Sequence, residues 1–252
     1  MHRAVGTDGG QVLKWRGAVN CIACVTDVID SVDLGTHGER WVVRYRMPKS
    51  GDDDRFLAGL SAVENRGRRR ANRETRRRVV ESLLAGLVIP DEIPPLSDEE
   101  ADRLIVLADV STRCRGSVLR GGGHHDEISQ VLGAEETPRL TDALATLSGA
   151  LSVLGVGDGW RWQLLVKCAL DPVHPLRRRV IDALLESEDN LTTATVAGRC
   201  SLPQTSVRRH LENLTAHKLL EKAGDHPERW GLSSWLREHW WATSGMEDGH
   251  GR

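Results

Sequence analysis

No stretch of this chain approaches the roughly 18 apolar residues that a membrane-spanning helix needs. The opening residues, Met1-His2-Arg3-Ala4-Val5-Gly6, contain no apolar core of a secretory signal. A cytoplasmic protein with no membrane partner is therefore expected. Paired cysteines are also lacking. Cys21, Cys24, Cys114, Cys168 and Cys200 are an odd, scattered set, which suits reduced thiols. Cys21-Ile22-Ala23-Cys24 has CxxC spacing, but no second pair follows at zinc-finger distance. The motif lies in an apolar run, residues 19–25, so small core residues of a buried strand are expected there. His124-His125-Asp126-Glu127 has no partner ligands at helical spacing and reads as a solvated loop. No serine stands in a GxSxG elbow. Together these absences leave no metal site, no cofactor and no catalytic residue to expect, and the chain reads as a non-enzyme. Lysine is scarce as well. Only Lys14, Lys49, Lys167, Lys218 and Lys222 occur among 34 basic residues, and the others are arginine. The planar guanidinium fork suits paired contacts to phosphate oxygens. A net charge of −2 does not oppose such contacts, because what matters is whether the cations gather on one face.

What is present changes along the chain. Residues 12–15, 19–25 and 40–47 read as short strands, and Gly6-Thr7-Asp8-Gly9-Gly10 as a turn. Three strands without covering helices make a poor core, so this opening is expected to be the tail of a larger domain. Residues 64–78 hold eight arginines against Glu64 and Glu74, and a helix is expected to carry them into Val79, Val80, Leu83, Leu84 and Leu87. Such a run suits either a track for a phosphate backbone or a solvated helix face. Ser97-Asp98-Glu99-Glu100 is a capping box for a helix to about Thr112. Thr137-Pro138 opens another, with Leu140, Leu144, Leu147, Leu151 and Leu154 as a stripe for core packing within the chain. An apolar helix over residues 160–170 follows.

From Asp171 the pattern is more specific. Pro175 opens a helix with Leu176, Val180, Ala183 and Leu184 on its apolar face. A short helix over residues 194–199, a turn at Cys200-Ser201-Leu202 and a basic helix from Pro203 to Leu214 come next. Compact Val196 and Ala197 allow two helices to cross closely, and Val207, Leu211 and Leu214 seat the last helix. Gln204, Thr205, Ser206, Arg208 and Arg209 are left on its outer face, the positions that enter the major groove in a helix-turn-helix. Arginine pairs with guanine edges and glutamine with adenine, while hydroxyls can bind phosphates. Two strands around Gly224-Asp225-His226-Pro227 then form a wing, where Lys222, His226 and Arg229 are candidate backbone contacts. The series resembles the winged helix-turn-helix domains of the MarR and ArsR families of bacterial regulators, which implies double-stranded DNA as the partner.

A second resemblance lies upstream. Trp15-Arg16-Gly17, the run from Cys21 to Asp30, and Gly38-Glu39-Arg40-Trp41 resemble the late part of actinobacterial and phage-type AAA/P-loop ATPases, in which a helical lid and a winged helix follow. The resemblance implies nucleotide-sensor positions at Thr26, Arg40 and Arg139. Each also has a plain reading: Thr26 ends a strand, Arg40 starts one and Arg139 is an exposed helix residue. No GxxxxGK[ST] occurs, so the loop that holds the β- and γ-phosphates is missing and this chain alone is expected not to hydrolyse ATP. The expected fold is mainly α, with a truncated ATPase-like remnant over residues 1–60 and a helical lid-like region over 61–170. A winged helix-turn-helix over 171–242 and a disordered tail over 243–252 complete it. The leading expectation is a DNA-binding regulator or DNA-associated protein, possible as a homo-oligomer. The alternative is a C-terminal fragment or split half of a DNA-associated ATPase that needs a partner chain for nucleotide binding.

Overall fold

The computed structural model describes residues 2–5, 11–14, 24, 43–47, 51–92, 95–121, 127–132, 137–224 and 227–243. The chain divides into two units, residues 1–34 and 35–252. In the first, β1 (His2–Val5) pairs antiparallel with β2 (Gln11–Lys14). The expected strand over residues 19–25 lies outside the described residues except at Cys24, which is exposed and not in a strand. The buried-strand expectation therefore fails at that thiol.

The second unit is mainly α-helical. Residues 43–47 are not the strand that their alternation predicts. Val43, Tyr45 and Met47 are exposed, while Arg44 and Arg46 are half-buried, so the pattern is inverted. Arg46 explains this locally: its Nε donates to the Asp171 carbonyl at 2.6 Å. The basic run is also split. Helix α1 (Asp52–Glu64) ends where Asn65 turns back, its Nδ2 donating to the Ser61 carbonyl at 2.7 Å, and α2 (Arg69–Ala85) begins after the turn. Helix α2 buries no residue, and its Val79, Val80, Leu83 and Leu84 are at least half exposed.

Two cores lie beyond. Helix α3 (Asp98–Arg115) starts on the capping box: Ser97 Oγ accepts from Glu100 N at 3.3 Å, and Glu100 Oε2 accepts from Ser97 N at 3.2 Å. A hairpin follows, β3 (Val118–Arg120) and β4 (Ile128–Val131), which the sequence pattern does not announce. Then come α4 (Thr137–Val153) and α5 (Asp158–Leu170). Leu104, Leu107 and Ala108 of α3 pack with Leu140, Leu144, Trp162, Leu165 and Ala169 as one core. The leucine stripe thus serves the core: Leu140 and Leu144 are buried in it and Leu147 packs against it, whereas Leu154, just past α4, is 45% exposed. Val110 and Cys114, further along α3, belong to a second core built on the C-terminal elements. One helix therefore contributes to both.

The C-terminal elements are α6 (Pro175–Leu185), β5 (Leu191–Thr192), α7 (Thr193–Cys200), α8 (Gln204–Ala216), β6 (Leu220–Ala223) and β7 (Arg229–Leu232). A short helix α9 (Ser234–His239) and a 3₁₀ turn (Trp240–Thr243) return the chain to α3. There the Arg113 guanidinium lies 4.0 Å above the Trp235 ring, and Ala242 enters the core of α3, α4 and α5. No helix among the described residues is long and apolar enough to cross a membrane.

Candidate nucleic-acid interface

The local chemistry of each helix end sets the geometry. Pro175 takes the first position of α6, where its missing N–H costs nothing, and His174 Nδ1 accepts from Leu176 N at 3.2 Å. Thr192 caps α7 by accepting from Thr195 N at 3.2 Å. The turn into α8 is made by Ser201 in the left-handed region, φ 52°, with Leu202 N donating back to the Ala197 carbonyl at 3.1 Å. Val196 and Ala197 are buried where α7 crosses its neighbours, and Val207, Leu211 and Leu214 seat α8 in the same core. The spacing argument for a helix-turn-helix is matched residue by residue.

The wing is a three-stranded antiparallel sheet in the order β5-β7-β6. The sequence pattern does not announce strand β5, which immediately precedes the short helix. Two contacts fix it. Trp230 Nε1 donates to Thr193 Oγ1 at 2.9 Å. The Asn190 side-chain amide, from the loop before β5, lies against Gly231 of β7, so a Cβ there would require that amide to move.

Each expected reader has a definite place. Gln204, Thr205, Arg208 and Arg209 are exposed on the first turns of α8, and Ser206 is half-buried. Lys222 is exposed on β6 and Arg229 on β7. Arg229 Nη1 donates to the Asn190 carbonyl at 3.1 Å. Arg208 reaches across to the wing: its Nε pairs with Glu212 Oε1 at 3.0 Å and its Nη2 with Glu228 Oε1 at 3.4 Å. The Glu212 hydrogen bond, and then the Glu228 charge, raise its pKa above the ordinary arginine value. Residue His226 lies outside the described residues.

A residue that sequence reasoning missed holds α8 from the other side. Arg120, in β3, donates to Glu212 Oε2 at 2.9 Å, to Asn213 Oδ1 at 2.7 Å and to the Arg209 carbonyl at 3.3 Å. No motif marks Arg120; only the hairpin fold brings it to α8. Conversely, the arginines of α6 do not all serve an outer surface. Arg177 Nη1 donates to the carbonyls of Cys114 and Gly116, which anchors the end of α3. Arg178 pairs with Asp182 at 3.0 Å. Behind α8, burial lowers the His210 pKa to about 4, helped by Arg177, His174 and Arg120, and also lowers that of His217.

Residues 173–223 match the family model described as a helix-turn-helix domain. The segment is similar to helix-turn-helix domains, and α7, the turn at Ser201 and α8 have that arrangement. No curated protein and no solved structure matches the chain. The matched segment includes none of the sensor-like positions taken from the ATPase resemblance, and nothing in the match points to an ATPase. Thr26 and Arg40 lie outside the described residues, and Arg139 is exposed in the first turn of α4.

Proposed function

We propose that this protein binds double-stranded DNA through its winged helix-turn-helix, as a transcriptional regulator or another DNA-associated protein. The observation that carries the reading is the division of α8. One face, Val207, Leu211 and Leu214, is seated in the core; the other presents Gln204, Thr205, Arg208 and Arg209 to solvent beside a wing that carries Lys222 and Arg229. That is the arrangement by which a recognition helix enters the major groove while a wing meets the backbone. Gln204, Thr205, Ser206, Arg208 and Arg209 are the proposed readers, and Lys222 and Arg229 the proposed wing contacts.

Fluorescence anisotropy on labelled duplexes tests this. Affinity is expected to fall steeply with salt, as phosphate contacts release counterions. Replacing Arg209 by Ala is expected to cost about 1–3 kcal/mol on a selected binding sequence and to relax the preference at one base pair. Replacing Arg208 and Arg209 together, with unchanged affinity and an intact far-UV spectrum, would remove α8 as the reading helix. The domain would then be a winged helix used for protein contacts.

A further inference from the structure

Two cations from different elements meet at one oxygen in the seam between α8 and the wing. Glu228 Oε1 lies 2.6 Å from Lys222 Nζ of β6 and 3.4 Å from Arg208 Nη2 of α8. Arg208 is steered there, because its Nε is held by Glu212 Oε1 at 3.0 Å and the other oxygen of Glu212 is fixed by Arg120 at 2.9 Å. The seam is open to solvent: the side chains of Arg208 and Lys222 are 56% and 40% exposed, and that of Glu228 is 22% exposed. A guanidinium and an ammonium converging on one anionic oxygen provide the environment that proteins offer a backbone phosphate.

We infer that Arg208 and Lys222 form a seat for one backbone phosphate of duplex DNA, and that Glu228 is the built-in occupant which the phosphate displaces. This inference rests on the DNA-binding reading above and deepens it. It moves Arg208 from base reading to backbone contact and leaves Arg209 and Gln204 to face base edges. Exposed ion pairs of this kind are weak, so exchange of carboxylate for phosphate is easy. The carboxylate nevertheless competes at every encounter and cancels one positive charge of the interface. It therefore sets a ceiling on non-specific affinity, because every duplex must displace it.

The test is a cycle of four full-length proteins: wild type, Glu228→Gln, Lys222→Ala and the double variant. Each is titrated with a labelled duplex at several salt concentrations, with a far-UV spectrum as the folding control. Glu228→Gln is expected to tighten binding roughly two- to fivefold at low salt. The slope of log K against log salt is expected to change little, because the same phosphate occupies the seat in both complexes. In the Lys222→Ala background the gain should shrink by half or more, because the seat is already broken. An equal gain in both backgrounds overturns the seat, since Glu228 would then act only through the general field. So does a Glu228→Gln protein that binds DNA with unchanged affinity. Binding of duplex by none of the four proteins overturns the DNA-binding reading itself, and the seat with it.

Discussion

Helices α8 and α2 are written in similar letters and have opposite fates. Both set apolar residues at spacings of three and four among arginines. In α8 the apolar set is fully buried, with Val207 and Leu211 at 0% exposure; in α2, Leu83 and Leu84 are each 58% exposed. The difference lies in the neighbours. Helix α8 shares a core with α6, α7 and the wing, whereas α2 buries no residue. Amphipathic period is therefore a requirement for packing and not a sign of it. Arginine content likewise does not make an interface by itself. In α2, Arg77 and Arg78 pair with Glu74 one turn away, a solvated arrangement worth little. The largest expected effect separates the two helices directly. Leu211→Ala should cost about 2–5 kcal/mol in denaturant unfolding, by lost transfer energy and a residual cavity. Leu83→Ala should stay within about 0.5 kcal/mol, as exposed substitutions do. Equal losses at the two positions would show that α2 packs on something it does not meet here.

The arginines extend the same contrast at smaller magnitude. Arg177 is half-buried, with one nitrogen serving the carbonyls of Cys114 and Gly116, and burial lowers its pKa. Arg177→Met keeps the length of the side chain and leaves those acceptors unpaired, at an expected cost of about 1–3 kcal/mol. Arg77→Met in α2 removes only exposed pairs with Glu74 and Glu81, and its effect should be under about 1 kcal/mol. Thermal unfolding of both variants measures the difference. A loss for Arg77→Met as large as that for Arg177→Met would erase the distinction between a structural and a solvated arginine.

What was legible in the sequence follows from the range of the interactions. Helix ends written in local chemistry came through: Ser97 with Glu100, Pro175, and the turn before Pro203. So did the periodicity that seats Val207, Leu211 and Leu214. The mainly α character and the helix-turn-helix were therefore readable. Elements stabilised from a distance were not. Strand β5 has two residues and exists because β7 pairs with it, so no alternation could reveal it. The β3–β4 hairpin pairs locally, but the contacts that Arg120 makes from it with α8 span some 90 residues of sequence. Residues 43–47 show the reverse error. Their alternation is real, but Arg46 is drawn inward by Asp171 and the apolar residues turn outward. The proposed readers were visible as an outer helical face. Their partner Glu228 was not, because a salt bridge between helix and wing has no sequence period, whereas Glu212 stands four residues after Arg208 on the same helix, a readable spacing.

The smallest expected effect is confined to acid, and it concerns the inner face of α8. His210 lies against His174, with ring centroids 5.7 Å apart, and its Nδ1 is buried without a hydrogen-bond partner. Arg177 and Arg120 add positive charge nearby, so burial and these cations together hold the ring neutral down to about pH 4. In the unfolded chain the same ring titrates near the ordinary histidine value of about 6.5. Between the two values the unfolded state binds the extra proton, so stability rises with pH across that window. It is fully present above about 6.5 and is lost progressively as the pH falls toward 4. His210→Leu removes the titration while keeping an apolar body at the site. Its unfolding free energy, followed from pH 7 to pH 4, should therefore decline less steeply than that of the wild type. No such test on α2 has an equivalent, since that helix carries no histidine. Parallel acid limbs for wild type and variant would mean that His210 is as free to protonate in the folded protein as in the unfolded chain. The back of α8 would then be as open to water as α2 is.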